Sequence, residues 1–333
     1  MSRIAIIGGG AWGTALAIAL ARGNRHTVHL WAYEMEVVEA IRARRENTAF
    51  LPGFKIADAI TPTRDLGEAL ARAEIVLTVM PSHHVRRVAT QMLPHLAPEM
   101  LIVSATKGIE EKTHLRMTEV IAEVAGRRRI GALSGPSFAK EVARGDPTAI
   151  TFASTDAQLA ATIRSEFSDA SFRVYSSEDI VGVELGGALK NVIAIAAGIV
   201  EGLGLGHNTA AALITRGLAE ITRLAVACGA HRETLSGLAG MGDLVLTCTG
   251  GLSRNRAVGV ALGRGERLPS IIAGMRGMVA EGVLTTDAAL GLARFQQIEM
   301  PIAEQMHGIL REGKSPQEAM RALMGRPGKT ENG

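Results

Sequence analysis

The sequence predicts an α/β protein in which a doubly wound, mainly parallel sheet is followed by an all-helical C-terminal domain. In the first half of the chain, short apolar runs rich in β-branched residues alternate with helical stretches, which is the rhythm of βαβ units. Beyond about Val183 the strand signals stop, and Ala-, Leu- and Gly-rich helical stretches follow. Several of the early runs are nearly continuously apolar, as expected for strands covered by helices on both faces.

The individual elements follow from these patterns. The predicted strands are Arg3–Ile7, Thr27–Trp31, Ile75–Met80, Met100–Ala105, Ile130–Ser134, Thr148–Ala153 and Phe172–Tyr175. Helices predicted among them include Gly13–Ala21 and Thr113–Ala125, and those predicted after them are Val183–Val200, Thr209–Ala227, Arg254–Leu262, Thr285–Phe295, Ile302–Leu310 and Pro316–Leu323. We therefore expect a sheet domain over residues 1–182, a helical domain over residues 183–325 and a frayed tail over residues 326–333.

Length, charge and cysteine content narrow the class of protein. A chain of 333 residues is too long for one ordinary core, which favours two domains. Its net charge of +3 suits anionic small molecules, whereas nucleic-acid binding is not expected, because the only dense basic run, Arg127–Arg129, has the character of a solvated turn. Cys228 and Cys248 have no disulfide or metal-ligand spacing, so we expect buried, reduced thiols, no metal and a cytoplasmic protein.

One uncharged segment of 18 residues, Ile4–Ala21, resembles a membrane segment in composition. Four glycines within six positions interrupt it, so a strand, a glycine turn and a helix explain it better. We expect no membrane insertion. A homodimer is a candidate assembly.

The first strand is followed by a Gly-x-Gly-x-x-Gly motif formed by Gly8, Gly10 and Gly13. In this context the first glycine permits a tight turn, the second lets a pyrophosphate approach the backbone, and the third lets strand and helix pack closely. The helix that follows offers free N–H groups to phosphate. The motif therefore predicts a Rossmann-like domain that binds NAD or NADP.

The end of the second strand bears on the choice of cofactor. Glu34 lies at about the distance from the glycines at which an acidic residue often binds the ribose hydroxyls of NAD. It is equally well explained as a solvated residue that opens the next helix, and both interpretations stay open.

A lysine stands inside the predicted helix Val183–Val200, which is otherwise apolar nearly all round. Such a helix should be buried, and a buried lysine is costly unless it is paired or functional. Because burial lowers the pKa of an amine, Lys190 is a candidate proton donor and acceptor. The alternative is a lysine that reaches solvent from the edge of the helix.

Two further segments carry groups that suit an anionic substrate. Lys107 follows a strand, at the edge where open α/β sheets bind ligands. A glycine-rich loop over residues 240–252 precedes Ser253, Arg254 and Asn255, where a helix begins. Ser253 can cap that helix, Arg254 can form two parallel hydrogen bonds to phosphate, and Asn255 adds a donor. A capped surface helix with solvated arginines is the competing interpretation.

Taken together, several segments resemble the bacterial type of NAD(P)-dependent glycerol-3-phosphate dehydrogenase, and they follow the order of that family over roughly residues 4–325. These segments are Gly8–Thr14, Pro81-Ser82-His83, Ala105–Gly108, Ser134–Glu141, Gly187–Asn208, Ala212–Leu218, Gly242–Leu244 and Ser253–Arg256.

The resemblance implies roles for individual residues. Lys190 would be the catalytic residue, accepting a proton in the oxidation direction and donating it in the reduction direction. The implied substrate contacts are Lys107, Gly135, Ser137, Lys190, Asp243, Ser253, Arg254 and Asn255. The implied cofactor contacts are Gly8, Gly10, Ala11, Trp12, Gly13, Tyr33, Lys107, Ala139, Arg254, Val279 and Glu281. Members of the family often have arginine where this chain has Tyr33, so the choice between NADH and NADPH stays open.

The implied reaction is reversible hydride transfer between NAD(P)H and dihydroxyacetone phosphate, which yields glycerol 3-phosphate for phospholipid synthesis. The cofactor would be in its reduced form in this biosynthetic direction. One alternative is a β-hydroxyacid dehydrogenase, which also pairs a dinucleotide domain with helices and a catalytic lysine but recognises a carboxylate. Another is a dinucleotide-sensing module without turnover.

Overall fold

A computed structural model describes residues 1–126, 129–275, 277–328 and 330–331. Arg127 and Arg128 of the basic run lie outside the described residues, as do Lys329, Asn332 and Gly333 of the expected tail.

In the described residues, eight strands from the N-terminal part of the chain form one sheet. They are β1 (Arg3–Ile7), β2 (Thr27–Trp31), β3 (Ile60–Thr63), β4 (Ile75–Thr78), β5 (Leu101–Ser104), β6 (Ile130–Ser134), β7 (Thr148–Ala153) and β8 (Phe172–Ser177). Their order across the sheet is β3-β2-β1-β4-β5-β6-β7-β8, and all neighbours are parallel except β6 and β7. The strand order reverses between β1 and β4, and in such sheets ligands bind in the crevice at the carboxyl ends of those two strands.

Helices cover both faces of this sheet, which is why its central strands are mostly apolar. They are α1 (Ala11–Ala21), α2 (Met35–Arg44), α3 (Leu66–Leu70), α4 (Val85–Met92), α5 (Met117–Ala125), α6 (Ala139–Arg144) and α7 (Ala157–Phe167). One core cluster joins the sheet to α1, α2, α6 and α7, and another joins the opposite face to α3, α4 and α5. The predicted Rossmann-like, mainly parallel architecture is confirmed.

The rest of the described chain is helical, as predicted. Its helices are α8 (Ile180–Gly202), α9 (His207–Ala227), α10 (Arg232–Leu235), α11 (Asp243–Thr249), α12 (Arg254–Gly263), α13 (Leu268–Gly274), α14 (Glu281–Phe295), α15 (Pro301–Arg311) and α16 (Pro316–Met324). The long helix α8 is central, and α9, α11, α12 and α14 all pack against it. Its N-terminus is capped by Asp179, whose carboxylate accepts hydrogen bonds from the N–H groups of Gly182 at 2.8 Å and His231 at 2.9 Å.

Two predictions about local structure are wrong. The strand β3 is absent from the predicted set because Ile60-Thr61-Pro62-Thr63 is short and contains proline, which a sheet tolerates at an edge such as the one β3 occupies. The expected glycine-rich loop over residues 240–252 is mostly helical, with a π-type turn at Leu238–Gly242 that leads directly into α11. Apolar burial outweighs the glycines there, since Leu244 and Cys248 lie one helical turn apart and are both buried.

The expected boundary between residues 182 and 183 falls inside α8, which begins at Ile180. The division into domains therefore stays a prediction. Cys248 is buried, as expected, whereas Cys228 is only half-buried; both thiols are free.

Glycines let α8 and α12 approach each other closely. A Cβ atom on Gly198 of α8 would lie 2.1 Å from the carbonyl oxygen of Arg256, and one on Gly259 of α12 would lie 2.0 Å from that of Ile195. No side chain fits between backbones this close, so these glycines fix the position of α12 against α8. The N-terminal end of α12 carries Arg254, so this packing also places the arginine.

We expect Gly198→Ala to destabilise the protein by about 1 to 3 kcal/mol, because the added methyl group pushes α12 away from α8. Gly274→Ala is the matched control, since among the described residues no atom lies within 4 Å of the Cβ it would add to α13. That variant should be neutral or stabilised by up to about 1 kcal/mol. Urea unfolding measures both changes, and equal stabilities of the two variants would contradict the close packing.

Candidate active site at the domain interface

The amine of Lys190 lies in the interior of the protein, on the side of α8 that faces α11. Only 6% of the residue is exposed. Its Nζ donates hydrogen bonds to Oδ1 of Asp243 at 2.6 Å and to Oγ1 of Thr247 at 2.6 Å. Asp243 and Thr247 are four residues apart on α11 and so share one face of that helix. The alternative of a lysine reaching solvent from the helix edge is therefore wrong.

The carboxylate of Asp243 joins two lysines from different parts of the chain. Asp243 is fully buried, and its second oxygen, Oδ2, accepts a hydrogen bond from Nζ of Lys107 at 2.7 Å. Lys107 follows β5, so the ion pair connects the carboxyl ends of the parallel strands to the helical domain. One buried carboxylate thus holds two ammonium groups.

Burial and charge both act on the proton affinity of Lys190. Burial is the largest influence and lowers the pKa of its amine to about 8, and the positive charge of Lys107 acts in the same direction. The carboxylate of Asp243 opposes this decrease. An amine with a pKa near neutrality can both donate and accept a proton under physiological conditions.

Gly135 and Ser137 lie beside the two lysines, at the end of β6. The carbonyl oxygen of Gly135 accepts hydrogen bonds from Nζ of Lys107 at 3.0 Å and from the hydroxyl of Ser137 at 2.9 Å. Gly135 has φ +145°, and a Cβ there would lie 2.9 Å from Cα of Ile150. Glycine is therefore required where the chain turns towards Lys107.

The start of α12 presents one unpaired cation beside these groups. Ser253 caps the helix by accepting a hydrogen bond from the N–H of Arg256 at 3.2 Å, as predicted. Arg256 is paired with Glu201. The side chain of Arg254 is exposed, and within the described ranges it makes no hydrogen bond or close ion pair. It is therefore available to an anion.

Asn255 is more constrained than Arg254. Its amide donates a hydrogen bond to Oδ1 of Asn191 at 2.9 Å, and its Oδ1 accepts one from the N–H of Gly282 at 2.9 Å. One amide hydrogen remains for a ligand. The side chain connects the starts of α12 and α14 to the residue that follows Lys190.

The glycine fingerprint has the geometry that a dinucleotide needs. Gly8 has φ +136°, and a Cβ there would lie 2.2 Å from the carbonyl oxygen of Val79, after β4. Gly10 precedes α1, and among the described residues no atom lies within 4 Å of the Cβ that a side chain there would add. Across the described chain, no side chain caps the N-terminus of α1. The N–H groups of Ala11, Trp12 and Gly13 therefore lie at a helix start open to a phosphate.

The remaining expected cofactor contacts lie around the same crevice. Tyr33 is exposed, with the guanidinium of Arg87 5.6 Å from the centre of its ring. Glu34 precedes α2 without capping it, so neither interpretation of this residue is excluded. Ala139 begins α6, and Val279 lies two residues before α14.

Glu281, the first residue of α14, reaches across to the sheet domain. Its Oε1 accepts a hydrogen bond from the N–H of Ser82 at 3.1 Å, and its Oε2 accepts one from the hydroxyl of Ser82 at 2.8 Å. Ser82 follows β4, one of the two strands at the switch point of the sheet. Glu281 therefore lies beside the switch point of the sheet, and its role as a cofactor contact stays a prediction.

Three residues of this region were not predicted as site residues. Thr247 could have been found, because it lies four positions after Asp243 on a common helix face. Ser82 belongs to the motif Pro81-Ser82-His83, but the sequence shows no partner for it. Asn47 is fully buried and donates to the carbonyl oxygen of Gly9 and to Thr14, each at 2.8 Å, and nothing in the sequence predicts this contact.

A glycine fingerprint at the switch point of a parallel sheet, facing a buried lysine on a helical domain, defines a two-domain, dinucleotide-dependent oxidoreductase. Comparison with family models specifies which one. The model for the N-terminus of NAD-dependent glycerol-3-phosphate dehydrogenase matches residues 3–160, and the model for its C-terminus matches residues 179–321. The chain belongs to the NAD-dependent glycerol-3-phosphate dehydrogenase family.

Individual relatives agree with this assignment. A protein of Koribacter versatilis named glycerol-3-phosphate dehydrogenase (NAD(P)+) is 68% identical over 334 residues, which cover 99% of each chain. A protein of the same name from Acidobacterium capsulatum is 57% identical and covers 99% of this chain and 100% of its own. The crystal structure of glycerol-3-phosphate dehydrogenase from Coxiella burnetii is 42% identical, with a TM-score of 0.94 over 98% of this chain and 99% of that one.

We expect Asp243→Asn to cost about 3 to 5 kcal/mol of stability at pH 7, because it removes the carboxylate that Lys190 and Lys107 share. The loss should shrink as the pH rises towards about 8, the pKa of Lys190 in the unmodified protein, and level off above it, since a neutral amine at Lys190 needs no counter-ion. Chemical denaturation at several pH values measures this change. Asp287→Asn is the control, because Asp287 pairs with Arg311 and His307 nearer the surface and should cost about 1 kcal/mol. Equal losses in the two variants would contradict the shared-charge interpretation.

Proposed function

We propose that this protein is an NAD(P)-dependent glycerol-3-phosphate dehydrogenase that interconverts dihydroxyacetone phosphate and glycerol 3-phosphate, and that its product feeds phospholipid synthesis. One observation carries the proposal: a buried lysine with a shared counter-ion lies next to a dinucleotide crevice and an unpaired arginine. The family assignment and the names of the relatives support the same reaction.

The cofactor would be held by the crevice between β1 and β4. Gly8, Gly10 and Gly13 let the backbone approach the pyrophosphate, and the N–H groups of Ala11 and Trp12 would donate to it. Tyr33, Lys107, Ala139, Arg254, Val279 and Glu281 would complete the contacts. When bound in its reduced form, the cofactor supplies the hydride for reduction of the carbonyl carbon.

Lys190 would transfer a proton to or from the substrate oxygen. In the reduction direction its ammonium group donates a proton to the carbonyl oxygen as that carbon becomes an alcohol, and Lys190 then regains a proton from solvent. In the oxidation direction the neutral amine accepts the hydroxyl proton. Asp243 and Thr247 hold the amine in place, so little reorganisation is needed at the moment of transfer. The positive charge of Lys107 would further stabilise negative charge on the oxygen.

The phosphate of the substrate would bind at the start of α12. Arg254 offers two parallel N–H donors, which match a phosphate group, and Asn255 offers one remaining hydrogen. Lys107, Gly135, Ser137, Asp243 and Ser253 would surround the rest of the substrate. Because the charge on the phosphate does not change during the reaction, the contacts of Arg254 and Asn255 would orient the substrate rather than take part in the chemistry.

We also propose that the protein is cytoplasmic, is not inserted into a membrane and forms a homodimer. Within the described chain, one helix is long and apolar enough to cross a membrane, namely α8. Of the 18-residue window that passes this test, 89% is buried inside the protein, as in the core helix of a soluble protein. Light scattering coupled to gel filtration would measure the assembly state.

The direct test is consumption of NADH and of NADPH with dihydroxyacetone phosphate, measured in parallel by absorbance. Turnover that needs the phosphate group supports the proposal, and the comparison of the two cofactors settles the preference. Turnover with small 3-oxo acids instead would favour a β-hydroxyacid dehydrogenase. Cofactor binding without turnover would favour a sensing module.

We expect Lys190→Met to lower kcat for reduction by about 10²-fold or more while cofactor binding persists, because methionine fills the space without carrying a proton. In the unmodified protein the rate of reduction should fall as the pH rises through about 8, where Lys190 loses its proton. Stopped-flow measurement of the hydride step checks both effects. Turnover near that of the unmodified protein would remove Lys190 from the mechanism.

We expect Arg254→Ala to raise KM for dihydroxyacetone phosphate by roughly 30- to 100-fold, because a charged phosphate contact is lost. Arg256→Ala is the matched control two residues away. Its guanidinium is already paired with Glu201, so KM should change by less than about 3-fold. Initial-rate kinetics at saturating cofactor measure both values, and an unchanged KM in Arg254→Ala would reject the phosphate role.

A further inference from the structure

The contact between Ser82 and Glu281 joins the two domains. Glu281 is a proposed cofactor contact, but Ser82 has no role in the function proposed so far. Ser82 is 4% exposed, and it lies 199 residues from Glu281 in the sequence. It supplies both a backbone N–H and a hydroxyl, so each oxygen of the carboxylate has a donor. The pair lies just after β4, one of the two strands at the switch point of the sheet.

Arg254 stands next to this carboxylate. The amide of Asn255 is hydrogen-bonded to the N–H of Gly282, so the residues before them, Arg254 and Glu281, begin two helices that are held together. The positive charge of Arg254 favours the ionised form of Glu281, and Glu281 favours the charged form of Arg254. Within the part of the chain that the structure describes, no close ion pair joins them.

A carboxylate that paired with Arg254 would compete with a substrate phosphate for the same donors. Both anions match the planar fork of a guanidinium, and an internal carboxylate has the advantage of being always present. We propose that Ser82 is a positioning residue that holds the Glu281 carboxylate on the sheet domain and thereby keeps Arg254 free to bind phosphate. This inference rests on the phosphate role of Arg254 in the proposed function.

The surroundings of Ser82 leave its hydroxyl little freedom. A Cβ on Gly108, the residue after Lys107, would lie 2.4 Å from Cβ of Ser82, so the serine is enclosed on that side. Burial raises the pKa of Glu281, and the hydrogen bonds from Ser82 act against this increase. Without the hydroxyl, Oε2 of Glu281 would lose its donor while Oε1 kept the backbone N–H, and Arg254 is a neighbouring cation that acts on this carboxylate.

The test is a double-mutant cycle of Ser82→Ala, Glu281→Gln and the double variant in the full-length protein. KM for dihydroxyacetone phosphate is measured at saturating reduced cofactor. The dissociation constant of glycerol 3-phosphate, measured by calorimetry, gives a readout that does not depend on turnover. Ser82→Ala should raise both constants by about 5- to 10-fold and change kcat by less than about 2-fold, because the loss concerns binding alone.

The decisive comparison is the effect of Ser82→Ala in the Glu281→Gln background. A neutral amide does not compete with phosphate for Arg254, so removal of the hydroxyl should have no effect on either constant there. Ser154→Ala is the matched control, since Ser154 is also a buried serine of the sheet domain and its hydroxyl bonds to the carbonyl oxygen of Ile130. That variant should leave both constants unchanged.

Two results would overturn the proposal. One is an equal effect of Ser82→Ala in both backgrounds, which would make Ser82 merely structural; the other is no effect of Ser82→Ala in an active protein. Failure of the proposed function gives a different pattern, because the unmodified protein itself would then neither reduce dihydroxyacetone phosphate nor bind glycerol 3-phosphate.

Discussion

The arrangement of the site depends on one carboxylate that serves two cations. Asp243 is fully buried, and its oxygens hold Lys190 from the long central helix and Lys107 from the edge of the sheet. For Lys190 in particular, burial disfavours the charged amine and the Asp243 carboxylate favours it, because the cost of removing an isolated charge from water is several kcal/mol. The same contact ties the two halves of the molecule together at the point where substrate and cofactor would meet. Stability and chemistry are therefore linked at this residue.

The packing of the helical domain places the other groups around that contact. Glycines in α8 and α12 bring the two helices together, and Asn255 connects the start of α12 to α14 and to Asn191. The helix starts that carry Arg254 and Glu281 are thus held against Asn191, the residue that follows Lys190. Small residues rather than large ones fix the positions of these helices, which agrees with a chain in which only 3% of residues are aromatic.

The fold could be predicted from the sequence because its signals are local. Continuous apolar runs mark the central strands, and the bounds of β1, β2, β6 and β7 agree with prediction to the residue. Prediction failed where tertiary contacts outweigh local preference. Pro62 is tolerated in β3 because that strand lies at the edge of the sheet. The glycine-rich segment around Asp243 is helical because it is buried against α8.

Of the site residues, Lys190 could be predicted as a buried amine in an apolar helix. Its partners, and the link between Ser82 and Glu281, could not, because nothing in the sequence shows which distant residues meet.

The single antiparallel pair in the sheet explains why the lysine sits in the middle of a long helix. β7 is antiparallel to β6, and β8 is parallel to β7. The chain therefore leaves β8 at the end of the strands opposite to the end that carries the glycine fingerprint. It must then travel back along the whole height of the sheet. Ten residues of helix from Ile180 to Lys190 rise about 15 Å, close to the roughly 16 Å of a five-residue strand. Along the way Val183 packs beside Ala132, and Gly187 passes Ser134 at the end of β6. The reversal of strand direction between β6 and β7 thus sets how far α8 must run before it reaches the carboxyl ends of the parallel strands. A shift of Lys190 by one helical turn would move its amine away from those strand ends.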